Sequence, residues 1–224
     1  MTTATSHPPA PPPPLADSAH ALRTVTQSLR TDDGLVFFNW LYLAAIESFE
    51  EPSPVAGALA ARLTRRYLDA LAADDTGAAL PACWRPLLRS RRHPAVRGVQ
   101  FALSGVYSMA AHDLPLTLLE TCRLDGLEPQ AIERDFARAC ELLAGVEERV
   151  REELTSGPET LVVTEPLAHL VGAWNLDRAL RGAWAAFRAL WELRAAPSLA
   201  AELAERLDAD AGTTARCLLT PLPR

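Results

Sequence analysis

Apolar residues recur at three- and four-residue intervals along this chain and almost nowhere at every second residue. Val55, Leu59, Leu63, Tyr67 and Leu71 form one such stripe. Ile132, Phe136, Cys140, Leu143, Val146 and Val150 form a second, and Leu180, Trp184, Phe187 and Trp191 a third. That interval is the period of an amphipathic helix, which must bury one face against a neighbour. Only Leu161-Val162-Val163 reads as β-like, and three residues are too few to define a sheet. Alanine and leucine dominate while aromatics reach only 6%, a balance that favours helices because those side chains lose little freedom on entering one. The expectation is an all-α fold: a single helical domain over residues 17–224 behind a disordered, proline-rich tail over residues 1–16.

The tail is set by Pro8 to Pro14, nearly continuous proline that holds an extended polyproline conformation. Helices are then expected over Asp17–Arg30, from Leu35 to Pro52 with Asp32 or Asp33 as cap, and from Ser53-Pro54 onward. Asp74 to Gly77 reads as a loop. A short helix is placed around Trp84 and Leu87, followed by a basic cluster of Arg89, Arg91, Arg92 and His93. A central helix runs Pro94–Leu114, with a break at Pro115. Asp125-Gly126 marks a turn. A late helix is placed over Glu165–Arg194, and a last one from Pro197 to about Leu207.

The central helix carries a polar knot. Tyr107, Ser108, His112 and Asp113 lie among Phe101, Leu103, Val106, Met109, Leu114 and Leu116. Ionisable groups in an apolar helix are costly without a partner or a task. Consecutive residues of an α-helix point about 100° apart, so His112 and Asp113 are not expected to share a face, whereas Ser108 and His112 are. Three tasks fit: proton transfer by His112 and Asp113, a metal site completed by Glu165 and His169, or a structural role in which Asp113 caps the turn at Pro115. Tyr107, Ser108, Met109, Trp40, Tyr42, Trp174 and Trp184 are the candidate pocket lining, with Arg181 reaching inward to Asp113 or a substrate carboxylate.

Several classes are disfavoured. The net charge of −6 is against a nucleic-acid partner. No apolar run is long enough to span a membrane and no signal peptide is visible, so a cytoplasmic location is expected. The cysteines Cys83, Cys122, Cys140 and Cys217 include no CxxC pair and read as buried reduced thiols. Phosphate loops, nucleophile elbows and dinucleotide fingerprints are absent from the sequence.

Four motifs carry a resemblance: Phe37-x-x-x-Leu41-Tyr42, Trp84-x-Pro86-Leu87, Gln100-Phe101-Ala102-Leu103-x-Gly105 and Asp113-Leu114-Pro115-Leu116. With the late Arg181-x-Ala183-Trp184 and Trp191, they make the chain after the tail resemble a family of actinobacterial proteins classed as a domain of unknown function. The central helix of that family reads Gly-x-Asn-Ala-His-Ile-Asn-x-Asp-Leu-Pro. Counted from Gly105, Asp113 falls on the family aspartate, Tyr107 on the first asparagine, and Ser108 and Met109 on the alanine-histidine step. The resemblance therefore implies a diverged member without the His-x-x-x-Asp face, and a thioether at Met109 is a poor ligand for hard cations. It implies a fold rather than an activity.

The functional expectation is a cofactor-independent enzyme of specialised metabolism, with no metal, cyclising, isomerising or dehydrating a hydrophobic small molecule. Asp113 would be the acid or base, His112 the second relay, and Tyr107 and Arg181 orienting groups. Alternatives are a metal-dependent hydrolase using Asp113, His112, Glu165 and His169, and a non-catalytic ligand-binding or scaffold protein. Oligomeric state is not specified by the sequence.

Overall fold

A computed structural model describes residues 15–49, 53–141 and 176–221. Among these residues the chain is all-α, with no strand. The helices are α1 (Leu15–Ser28), α2 (Leu35–Glu47), α3 (Pro54–Thr76), α4 (Arg85–Ser90), α5 (Gly98–Ser108), α6 (Leu114–Asp125), α7 over residues 129–141, α8 (Leu176–Glu192) and α9 (Pro197–Leu218). A π-helical turn, Met109–Asp113, joins α5 to α6, and a 3-10 turn, Leu193–Ala195, joins α8 to α9. No helix among the described residues is long and apolar enough to cross a membrane.

Local chemistry explains most boundaries. Ser53 accepts the amide N–H of Ala56 at 3.1 Å and Pro54 opens α3, so the orphan donors of the first turn have a partner and the proline costs no hydrogen bond. Asp33 accepts the Leu35 amide at 3.0 Å ahead of α2. Gly126 ends α6 with φ 65°, a left-handed value that a side chain disfavours.

Other boundaries differ from expectation. Leu15 and Ala16, assigned to the tail, already belong to α1, while residues 1–14 lie outside the described residues. Asp74, Asp75 and Thr76 form the last turn of α3 instead of a loop, because Gly77 supplies the cap one residue later. The last helix continues to Leu218, held by Ala211, Ala215 and Leu218 packing inward. The Leu161–Val163 run and the start of the late helix lie outside the described residues.

The buried apolar residues form two clusters. One gathers Leu22, Leu35, Phe38, Tyr42, Tyr67, Trp84, Leu87, Phe101 and Met109, from α1 to α5 and the π turn. The other gathers Leu114, Leu118, Ile132, Phe136, Leu180, Phe187 and Trp191, from α6 to α8. The π turn touches α3, α8 and α9, and so lies at the junction: Met109 belongs to the first cluster and Leu114, directly after the turn, to the second.

Gly212 sets how closely α9 approaches that junction. A β-carbon there would stand 2.4 Å from the carbonyl oxygen of Ala82, so only glycine lets α9 lie against the backbone that leads into Cys83 and Trp84.

Candidate functional site

Polar residues at Ser104, Ser108, Asp113, Thr117 and Thr121 are all buried and run along the central helix at steps of four, five, four and four. In a regular α-helix a five-residue step would miss the previous residue's face by about 140°. The π turn absorbs the extra residue. The amide of Leu114 bonds to the carbonyl of Met109, five residues back, in place of the usual four. Pro115 favours this local change, since it has no N–H to continue the regular ladder. The wider turn keeps Asp113 on the polar stripe and brings His112 against it.

The resulting centre is dense. His112 Nδ1 stands 2.8 Å from Asp113 Oδ1. The indole N–H of Trp84 donates to the other carboxylate oxygen, Oδ2, at 2.8 Å. The Sγ of Cys83 is 3.4 Å from the same Nδ1. Asp113 is 2% exposed, Cys83 0% and His112 9%. Thus two adjacent residues of the 83–84 segment meet two adjacent residues of the π turn.

The surrounding bonds fix each part. Asp208 of α9 accepts the amides of Ala82 and Cys83 at 2.8 and 2.9 Å, and the Ser108 hydroxyl donates to the Cys83 carbonyl at 2.8 Å. The Thr117 hydroxyl donates to the Asp113 carbonyl at 2.7 Å. Phe38, Tyr67 and Trp84 pack ring against ring, with centroids 5.1 to 5.5 Å apart, and clamp the indole. Burial pushes the Cys83 thiol far up from its ordinary value, and the carboxylates of Asp113 and Asp208 push it further the same way. A thiol so held is protonated at neutral pH unless a cation takes the proton's place, so it is no free nucleophile.

The expected site residues separate into those the centre gathers and those it does not. Asp113, His112 and Ser108 belong to it. Asp113 does not cap α6 with its side chain, because both of its oxygens are occupied elsewhere. His112 and Asp113 do form a pair, contrary to the α-helical facing rule, because the π turn changes the angle. Met109 is buried in the first cluster and Tyr107 packs against its edge. Tyr42 is buried, its phenol raised by burial and bonded to Thr64 at 2.8 Å.

Trp40 is 43% exposed, on the surface of the described residues, and does not belong to the centre. Arg181 points outward and pairs with Asp177 one turn earlier on α8, so it does not reach Asp113. Trp184 stacks on Phe136 at 4.8 Å in the second cluster. Trp174, Glu165 and His169 lie outside the described residues. In the basic cluster, Arg91 is committed to Asp33 and Asp74.

Two participants escaped the sequence reading. Trp84 was expected as the centre of a short helix and as part of a family motif, not as a site residue, and Cys83 as a buried reduced thiol. Their signal is adjacency, an indole donor beside a thiol at the head of a buried segment, and it becomes legible only when that segment is placed against the π turn.

Cys83, His112 and Asp113 each offer one ligand atom, all within 4.8 Å of one another. A tetrahedral zinc ion would set its nitrogen and oxygen ligands about 3.3 Å apart and its nitrogen and sulfur ligands about 3.6 Å apart. The observed nitrogen–oxygen and nitrogen–sulfur separations of 2.8 and 3.4 Å would need to open by about half an ångström or less, and the sulfur and oxygen lie within 4.8 Å of each other. Thiolate, imidazole and carboxylate together suit a zinc-class cation better than magnesium or calcium. A family model described as a family of unknown function, DUF5995, matches residues 15–221. Neither the curated proteins nor the solved structures contain a match to the chain.

Proposed function

The chain belongs to the DUF5995 family, from which no activity passes to it, and we propose from the geometry of its own centre that it is a metal-dependent hydrolase of small molecules. One observation carries the reading: Cys83 Sγ and Asp113 Oδ1 both approach the same nitrogen of His112. A proton relay sets its nucleophile and its carboxylate on opposite ring nitrogens, so that the ring passes a proton between them. Convergence on one nitrogen is the arrangement of three ligands around a shared point. Three protein ligands leave the fourth position of a zinc-class ion for water or substrate, as in catalytic rather than structural sites.

The ion would supply Lewis acidity and a bound water acidic enough to ionise near neutrality. The chain supplies the rest. Trp84 holds Asp113 in one rotamer by occupying Oδ2, leaving Oδ1 for the cation. Asp208 and Ser108 fix the backbone on either side of the Cys83 side chain. Such supporting partners are worth about 10- to 100-fold in metal affinity. Direct proton transfer by Asp113, the cofactor-free alternative, is disfavoured by its burial and by the occupation of both its oxygens.

The test is metal stoichiometry and its dependence on the ligands. Protein purified without metal-affinity steps is expected to carry about one zinc per chain, or to bind one from a chromophoric chelator. Cys83→Ser, His112→Gln and Asp113→Asn should each lose it. Hydrolysis across a panel of small esters and amides should vanish on chelation and return with zinc. Turnover that ignores chelators would transfer the site to cofactor-free proton chemistry, and zinc binding unchanged in all three variants would remove the centre altogether.

A further inference from the structure

We infer that the groove between α6, α8 and α9 is the substrate channel of this centre and that it takes an anionic, apolar-bodied molecule: a carboxylate on a hydrocarbon chain. The groove has a volume of about 680 Å³, within the range that accommodates drug-sized ligands. Leu116 and Leu119 form one wall and Leu190 another, while Ala200, Ala201 and Ala204 of α9 keep the third side shallow. Small residues facing leucines leave an apolar space between these three helices.

Its position ties it to the reactive centre along two helices. Leu116 follows His112 by four residues, and Ala204 precedes Asp208 by four, one turn in each case. Asp208 holds the Cys83 amide, and His112 is the most exposed of the three candidate ligands. The inner end of the groove thus comes within one helical turn of His112, reached from α6, and of Asp208, the support of the Cys83 amide, on α9.

The charge lies at the other end. The lining contains two arginines and no acid. Arg123 stands in the last turn of α6, eleven residues beyond His112, which is about 16 Å along the helix. It makes no ion pair or hydrogen bond among the described residues. Arg194 lies in the 3-10 turn next to Pro197, on the α9 end away from Asp208. Its guanidinium sits 4.5 Å from the centroid of the Trp191 ring and donates to the Trp191 carbonyl at 2.8 Å. That anchoring fixes the cation at the mouth without neutralising it. An occupant with a carboxylate between the two arginines and a hydrocarbon chain along the leucines would satisfy both features. Its reacting group would then lie at the end opposite the carboxylate.

The inference rests on the hydrolase reading only for what happens to the ligand, and its binding is measured separately. Decanoate, decanol and decyltrimethylammonium are the probes, titrated calorimetrically below their aggregation limits. Decanoate is expected to bind saturably, with decanol at least fivefold weaker and the cation not at all. Arg123→Gln with Arg194→Gln should bring decanoate down to the level of decanol. Ala201→Trp, at an exposed position of α9, should abolish binding of both by filling the groove. Zinc stoichiometry should stay unchanged in all these variants, so loss of the channel and loss of the metal reading give different results. Absence of saturable decanoate binding up to about 1 mM, or binding indifferent to Ala201→Trp, overturns the proposal.

Discussion

Replacing Trp84 by Phe removes one hydrogen-bond donor from the centre of the fold and leaves the ring stack largely in place. The lost bond runs from a 1% exposed indole to a 2% exposed carboxylate. Hydrogen bonds to charged groups contribute about 1.5–3 kcal/mol, and the smaller ring adds about 1 kcal/mol for incomplete repacking. The single variant should therefore lose about 3 kcal/mol, or about 6–12 °C in Tm for a chain of this length. Asp113→Leu, similar in size, should cost a comparable amount by leaving the indole N–H and the His112 ring without a partner. In the double variant neither orphan remains on the Trp84–Asp113 side, so its loss should fall short of the sum by about 2 kcal/mol. Urea unfolding followed by far-UV circular dichroism measures all four corners of the cycle, in chelator so that metal linkage does not enter. Additivity within about 0.5 kcal/mol would refute the claim that the indole stabilises the carboxylate, and with it the role given to Trp84 in shaping the site.

Two further outcomes test how α9 is held against that segment. Gly212→Ala places a carbon 2.4 Å from the Ala82 carbonyl, a backbone atom that cannot rotate away. It should cost about 1–3 kcal/mol by calorimetric unfolding, and a neutral result would mean the helix is not seated as described. Asp208 lies below the ordinary carboxylate range: burial alone would raise it, but the amides of Cys83 and Ala82, aided by the Cys83 side chain and His112, outweigh that effect. A depressed folded value contributes stability that is present above the unfolded carboxylate pKa and disappears as pH falls through the folded one. Asp208→Asn should accordingly flatten the acid limb of the stability curve below about pH 4 while leaving its shape near neutrality unchanged. An acid limb as steep as that of the parent protein would contradict the two amide bonds.

The sequence alone determined the helices, because their period is written in the spacing of apolar residues and their starts in Ser53-Pro54, Asp33 and Pro197. It also marked the stretch from Ser108 to Asp113 as exceptional, since buried ionisable residues in an apolar helix need a reason. Membership of a family of unknown function over residues 15–221 is what the resemblance implied. What the sequence could not supply was the angle between His112 and Asp113. A regular helix separates them, and only the π turn, favoured by Pro115 and by the packing of the junction against α3, α8 and α9, brings them together. Nor could it supply Cys83 and Trp84, which lie about thirty residues from their partners in sequence and are held near them with Gly212 and Asp208 of α9 packed on the backbone of Ala82 and Cys83. Arg181 shows the converse. An arginine on an amphipathic helix has two faces open to it in sequence, and the neighbouring Asp177, at one-turn spacing, holds it on the solvent side. Periodicity is local and survives in one dimension, whereas a site assembled from two distant pairs of residues exists only once the helices have been packed.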